Sequence, residues 1–242
     1  MNKEILGVKD VFDLDAMTNQ GYVYTTNAKL SSILANKRLT EIVLEMLDFS
    51  DKRVLDMGSG DGTYTIELFD KGKPALIQGV DVASQAIEIA TKKVENRNVT
   101  FSVSNVYRLP YSDDSFDIAH LRGLLHHASN PLDIIREAFR IAPVLIILEG
   151  NGYNPMLKLF ELFSPYHIQH KEKSYSPHVL EAWVNRANGY IVKRKFINLV
   201  PMFCPDWLAK LLKRIEPVVE RFPPVRFFAC GTYALVVKRK EK

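Results

Sequence analysis

The sequence predicts an α/β fold built on a mostly parallel sheet. Three observations predict it. Short β-branched or apolar runs alternate with helical stretches from Arg53 onward, the connections between them are short, and residues 144–148 are apolar throughout. Alternation with short links argues for right-handed crossovers in one sheet. A run with no polar face fits a strand covered on both sides. The 242 residues, 47% hydrophobic and 25% charged, suffice for one large domain or one domain with a cap. With 12 Gly and 12 Pro, collagen-like and low-complexity chains are excluded. A membrane span needs ~20 apolar residues in a row, and the stretch 142–148 falls far short.

Residues 1–50 read as a helical N-terminal lid. Leu30, Ile33, Leu34, Leu39, Ile42, Val43, Met46 and Leu47 recur at helical spacing, with a break expected near Asn36. Residues 51–150 read as a ligand-binding core. Its strands are expected at 54–57, 76–81, 99–103, 116–121 and 144–148, with helices at 64–71, 84–95 and 131–141. Residues 151–242 read as a substrate-side cap plus the last two strands of the same domain. Helices are expected at 156–163, 177–188 and 206–222, the last interrupted by Pro217 and ended by Pro223-Pro224. Weak alternation over 190–200 and a strand over 227–238, with no ordinary crossover between them, suggest an antiparallel edge.

In open parallel sheets a ligand sits at the carboxyl ends of the strands. There the strongest signal is Val54-Leu55-Asp56-Met57-Gly58-Ser59-Gly60-Asp61-Gly62, in which glycines permit positive φ and close backbone approach. Asp56 sits two residues before the first glycine, where it suits a ligand with a positive amine. Asp81 ends the second strand, where a carboxylate can accept both hydroxyl hydrogens of a ribose. Asn105 and Val106 follow the third strand and offer a polar edge beside an apolar face. Arg122-Gly123 follows the fourth. A dinucleotide dehydrogenase would need a third glycine at position 63, which is Thr63.

These segments resemble the S-adenosylmethionine-dependent methyltransferases with the Rossmann-like seven-stranded fold, in particular their small-molecule branch. The resemblance is carried by the glycine loop and by Gly79-Val80-Asp81-Val82-Ala83. It continues through Leu109-Pro110-Tyr111-Ser112-Asp113-Asp114-Ser115-Phe116-Asp117, then Leu124-Leu125-His126-His127 and Pro131-Leu132, in order over about half the chain. It implies strand order 3-2-1-4-5-7-6 with strand seven antiparallel, and S-adenosylmethionine as cofactor. It further implies that Asp56, Gly58, Ser59, Gly60 and Gly62 line the methionyl part, that Asp81 holds the ribose and that Val82 lies against adenine. Asn105 stands where the family usually has aspartate. Leu121 and Arg122 occupy the turn whose backbone meets the methionyl amine, and His126 is a cofactor-side contact.

Methyl transfer from a sulfonium needs mainly alignment, with a base only if the acceptor must lose a proton. The turn Leu121-Arg122-Gly123-Leu124 lacks the Asn/Asp-Pro-Pro-aromatic pattern of enzymes acting on adenine or glutamine amines, and neither cysteine is placed as a cytosine nucleophile. The expected acceptor is therefore a small or lipid- or glycan-linked molecule, methylated at oxygen. Tyr24, with Tyr22, is expected to close over the cofactor or to pack under the first helix. Tyr153, with Asn151 and Asn154, is expected to border the substrate, Glu149 to orient an acceptor or cap a helix, and His167 or His170 to act as general base. No metal is expected. An NAD-linked oxidoreductase and a non-catalytic cofactor-binding subunit are the rival readings.

Partners and compartment are read more coarsely. Basic residues exceed acidic ones by only 4, with no strong patch, which disfavours nucleic acid. Residues 206–222 carry Lys210, Lys213, Arg214 and Arg221 against an apolar stripe, so that segment could be an interfacial helix, a cap or a dimer surface. The sequence leaves the oligomeric state open. Two cysteines cannot build a disulfide framework, and acidic residues occupy the N-terminus where a signal peptide needs an apolar core, so a cytoplasmic chain is expected.

Overall fold

The computed structural model describes residues 3–163, 173–202 and 204–241, with the side chains of residues 3–8 left aside. Seven strands form one sheet in the order β3-β2-β1-β4-β5-β7-β6. They are β1 (Arg53–Met57), β2 (Leu76–Asp81), β3 (Val99–Val103), β4 (Ile118–Arg122), β5 (Val144–Gly150), β6 (Gly189–Ile197) and β7 (Thr232–Arg239). β1 to β5 pair in parallel, and β7 lies antiparallel between β5 and β6, with Leu145 opposite Val237 and Ile191 opposite the same residue. The strand order and the antiparallel edge agree with the expected fold. A bulge between Ile191 and Lys193 interrupts the β6 ladder, and β6 is an edge strand.

Before the sheet come α1 (Lys3–Asn19), the single turn α2 (Val23–Thr26) and α3 (Leu30–Met46). α3 passes through Asn36 without the expected break. The Asn36 amide reaches back to the carbonyl of Tyr24 at 3.1 Å, so its polarity is satisfied without leaving the helix. α4 (Thr63–Gly72), α5 (Ser84–Lys92) and α6 (Pro131–Ile141) are the crossover helices. α6 starts with Pro131 at its first position, where the missing N–H is harmless. α7 (Pro155–Phe163), α8 (Pro177–Arg186), α9 (Asp206–Arg221) and α10 (Pro223–Ala229) follow β5.

Two readings of this last region need correction. Pro217 does not interrupt α9, and Pro223-Pro224 open a further helix that runs to Ala229, so the last strand starts at Thr232 and not at 227. Prolines are tolerated in a first turn, which makes the pair a start signal as much as a stop.

The core has two layers. Leu55, Leu121, Ile135, Leu145, Leu180 and Leu235 belong to the one that includes α6 and α8 residues. Leu39, Ile42, Val54, Leu68, Ile118 and Ile146 belong to the one that includes α3 and α4 residues. A small third cluster joins Ala16 and Tyr22 to Ala83 and Ala86, seating the N-terminal segment on α5. Among the described residues no helix is long and apolar enough to cross a membrane.

Candidate functional site

The carboxyl ends of β1, β2, β4 and β5 point to one edge of the sheet, and the loops that leave them build the site. Between β1 and α4, Gly58, Gly60 and Gly62 adopt φ of 78°, 53° and 75°. Side chains with a Cβ rarely enter that region. A Cβ at Gly60 would also come within 2.4 Å of the Tyr22 ring, and one at Gly58 within 2.9 Å of Leu124. Gly62 faces elsewhere, against Phe101 and Ala90, so its place is in the packing of α4 on its neighbours. In the same loop the Ser59 hydroxyl is buried with no hydrogen-bond partner among the described residues.

Asp81 ends β2 and accepts the N–H of Gly60 and of Ala83, each at 2.9 Å. Burial raises its carboxyl above the usual range, against the pull of those backbone donors. The Val82 N–H is a further backbone donor to it, and the two carboxylate oxygens together still leave a lone-pair direction for an outside donor. Val82 is half-buried beside it, and Val106 packs on the core. Asn105 is exposed, and its side-chain oxygen accepts the N–H of Tyr107 at 3.0 Å in an Asx turn.

Asp56 is not turned toward the loop. Its carboxylate accepts the Thr65 hydroxyl and meets His120 Nδ1 at 2.8 Å, His120 being directly opposite on β4. The pair is buried between β1 and β4, so Asp56 works inside the sheet and not as a free counter-charge for an amine. Leu121 is fully buried in the core, which leaves only its backbone to face a ligand. The Arg122 guanidinium lies 3.7 Å from the centre of the Tyr64 ring and donates to Thr40 Oγ1 and Asn36 Oδ1, both at 3.1 Å. Burial lowers its pKa, and no carboxylate bonds to it directly among the described residues. It ties β4 to α3.

The N-terminal segment covers the glycine loop. Asp61, buried, accepts the N–H of Tyr22 at 3.2 Å and the Thr25 hydroxyl, and it pairs with Lys93 at 3.3 Å. Tyr22 is buried against Gly60 and packs on Phe12 and Tyr24. Burial, and then the charge of Asp81, push its phenol well above the ordinary range, so it stays a neutral donor. Tyr24 stacks on Tyr64, at the side of the loop that meets α3. Phe12 meets His127 edge-on at 4.9 Å, so α1 also reaches the turn after β4. Asp13 of α1 accepts the N–H of Gln85 at 2.8 Å and caps α5, whose own N-cap residue, Ala83, supplies no side-chain bond.

The turn after β4 holds a buried carboxylate beside an imidazole. Gly123, at φ 65°, donates to Leu148 of β5, and the chain then makes one 3-10 turn, Leu125–His127. Glu149 of β5 is buried at 2% exposure; it accepts the N–H of Leu125 and faces His126 Nδ1, both at 2.7 Å. A buried carboxylate on Nδ1 fixes the ring and sets its tautomer. The helix-capping alternative for Glu149 is therefore met through Leu125, and the same carboxylate also holds an imidazole. Sequence reasoning had both residues but not their pairing. The adjacency of β4 and β5, whose carboxyl ends carry them, was the signal available.

The loop after β5 divides differently from expectation. Asn151 and Asn154 are buried, and their amides bond the carbonyls of Phe227, Cys230 and Ala229, tying α10 to the sheet edge. Tyr153 is 36% exposed, with its hydroxyl 3.0 Å from His178 Nδ1. His167 and His170 lie outside the described residues. No group of three potential metal ligands gathers among the described residues.

A family profile described as a methyltransferase domain matches residues 48–178. Demethylmenaquinone methyltransferase of Thermotoga maritima is 26% identical over 203 residues, 81% of this chain and 82% of that protein. 27-O-demethylrifamycin SV methyltransferase of Amycolatopsis mediterranei is 30% identical over 129 residues, 51% of this chain and 46% of that protein. The match thus spans less than half of the second relative. Among solved structures, the [4+2]-cyclase SpnF superposes with a TM-score of 0.70 at 21% identity, over 97% of this chain and 96% of that one. A methyltransferase of Thermotoga maritima, described as a possible histamine N-methyltransferase, superposes with a TM-score of 0.69 at 19% identity, over 96% of this chain and 100% of that one. These two likenesses are of fold alone, and a cyclase among them shows that one scaffold hosts more than one reaction.

Proposed function

Because this chain belongs to the methyltransferase-domain family, an S-adenosylmethionine-dependent one, we propose that it methylates a hydroxyl oxygen of a small-molecule acceptor, with His126 taking the proton. The observation that carries the reading is the Glu149–His126 pair at the edge where the cofactor loop lies. The names of the relatives support the acceptor class, since demethylmenaquinone and rifamycin are both small relative to a protein or a nucleic acid.

Two features favour the cofactor at this edge. Ser59 offers a buried hydroxyl that lacks a partner among the described residues, and Asp81 has acceptor capacity left for ribose hydroxyls. Gly58 and Gly60 let Leu124 and Tyr22 close against the loop. When bound, the cofactor supplies a methyl group already activated on a sulfonium. The chain's own work is then to align the acceptor and remove its proton. With Nδ1 held by Glu149, Nε2 is the ring nitrogen that takes it, and the carboxylate stabilises the imidazolium that results. Tyr22 and Phe12 close the edge over the loop and reduce access of water. Tyr153, at the rim with His178, is proposed to border the acceptor. The proposal places the enzyme in the cytosol, in keeping with two free cysteines.

Titration calorimetry with S-adenosylmethionine and a mass-spectrometric acceptor screen test the reading. Asp81→Ala is expected to weaken cofactor binding about 10–100-fold, by loss of a charged acceptor worth ~1.5–3 kcal/mol. His126→Ala is expected to slow turnover at least ~100-fold, well beyond any loss of cofactor affinity from its place beside the cofactor. Undiminished turnover in His126→Ala would remove the base from the proposal.

A further inference from the structure

Helix α9 carries its apolar stripe outward. Its buried side chains are Ala209 and Glu216, whereas Trp207, Leu211, Ile215 and Val218 are 68%, 51%, 41% and 70% exposed. With 3.6 residues per turn these four and Phe222 fall within an arc of roughly 80°. α10 prolongs the surface with Val225 and Phe228, also exposed. A surface helix ordinarily turns such a stripe to the core.

The charges beside the stripe indicate what it meets. Lys210, Arg214 and Arg221 are exposed and fall on the adjoining arc. Among the described residues none of the three is bonded to a carboxylate. Lys213, nearer the buried side, is paired with Glu216, and Glu220 with Arg38. The arc that holds the stripe and these three cations contains no acid, and the exposed Asp206 lies just beyond it at the first position of the helix. A second copy of this face would bring at most that one counter-charge. An anionic lipid surface satisfies both halves at once: acyl chains accept Trp207, Leu211, Val218 and Phe222, and headgroups meet the three cations. Aromatic side chains such as Trp207 suit the headgroup boundary in particular.

We propose that the α9–α10 face docks onto an anionic bilayer. The docked orientation is fixed relative to the site. Carbonyls of Phe227, Ala229 and Cys230, in and just after α10, hold Asn151 and Asn154 of the loop that leaves β5 at its carboxyl end. The bilayer would thus lie beside the rim where an acceptor enters. The inference concerns surface binding and stands independently of which acceptor is methylated.

The test uses the full chain with vesicles of phosphatidylglycerol or phosphatidylcholine, read by co-sedimentation and by tryptophan emission. Binding to phosphatidylglycerol at low salt is expected, with a blue shift from Trp207. Binding should fall at least ~10-fold on phosphatidylcholine or at high salt. Leu211→Gln with Val218→Gln, and separately Lys210→Glu with Arg214→Glu, should each lower it by a similar factor. Both variants should keep the wild-type affinity for S-adenosylmethionine, which shows that they fold. No binding to phosphatidylglycerol, or equal binding by folded variants, overturns the proposal. So does a dimer in light scattering that Leu211→Gln with Val218→Gln dissociates, because the face would then be a self-interface.

Discussion

Asp81 shows how a residue proposed to bind the cofactor can work against the fold that carries it. Burial raises its carboxyl above the ordinary 3.8, so the folded chain holds that proton more tightly than the unfolded one. Its contribution to folding is full below that ordinary value and is lost as pH rises through the higher folded value. Asp81→Asn is therefore expected to gain stability relative to the parent as pH rises from acid to neutral, in thermal melts without cofactor, while binding S-adenosylmethionine more weakly. A stability difference that does not change with pH would contradict this. Asp81 was legible as an acid closing a strand, and so was the glycine loop. Asp56 was equally visible, but its orientation depends on His120, 64 residues away and opposite it only through the β1–β4 register. Such a pairing has no local trace.

The first helix is held by bonds that no periodicity reveals. Asp13 supplies the cap that α5 lacks, and Asp61 gathers Tyr22 and Thr25. Asp13→Ala is expected to cost about 1 kcal/mol, as loss of a capping side chain does, and to speed hydrogen exchange at the start of α5 and along α1. Unchanged exchange at Gln85 would show that the cap is not the tether. The crossover elements were read almost to their ends because strand and helix periods differ sharply there. The region after β5 was read less well. Pro223-Pro224 marks both the stop of one helix and the start of the next, and only tertiary packing decides which. Asn151 and Asn154 looked like substrate contacts for their polarity, yet their amides answer the carbonyls at the end of α10.

The layers of the molecule are joined by a small number of long-range ties. Arg38 of α3 grips Glu220 of α9 through two bonds, of 3.1 and 2.6 Å, and both side chains are nearly buried at 13% and 12% exposure. The same carboxylate accepts the N–H of Asn198, just past β6. Arg38→Met should leave Glu220 uncompensated and cost roughly 2–3 kcal/mol in urea denaturation, somewhat below the ~3–5 of a wholly buried pair. Adding Glu220→Gln should recover part of the loss, and a double variant no better than the single one would assign the cost to packing alone. The bulged edge strand β6 has a consequence of a different kind. Its successive cations Lys193, Arg194 and Lys195 reach Met46, Glu181 and Glu45, so the open margin of the sheet carries charge and a kink together. A strand from another chain would meet an irregular ladder and would have to displace those contacts. The margin of the folded chain thus resists growth of a foreign strand on it when unfolded copies stand nearby.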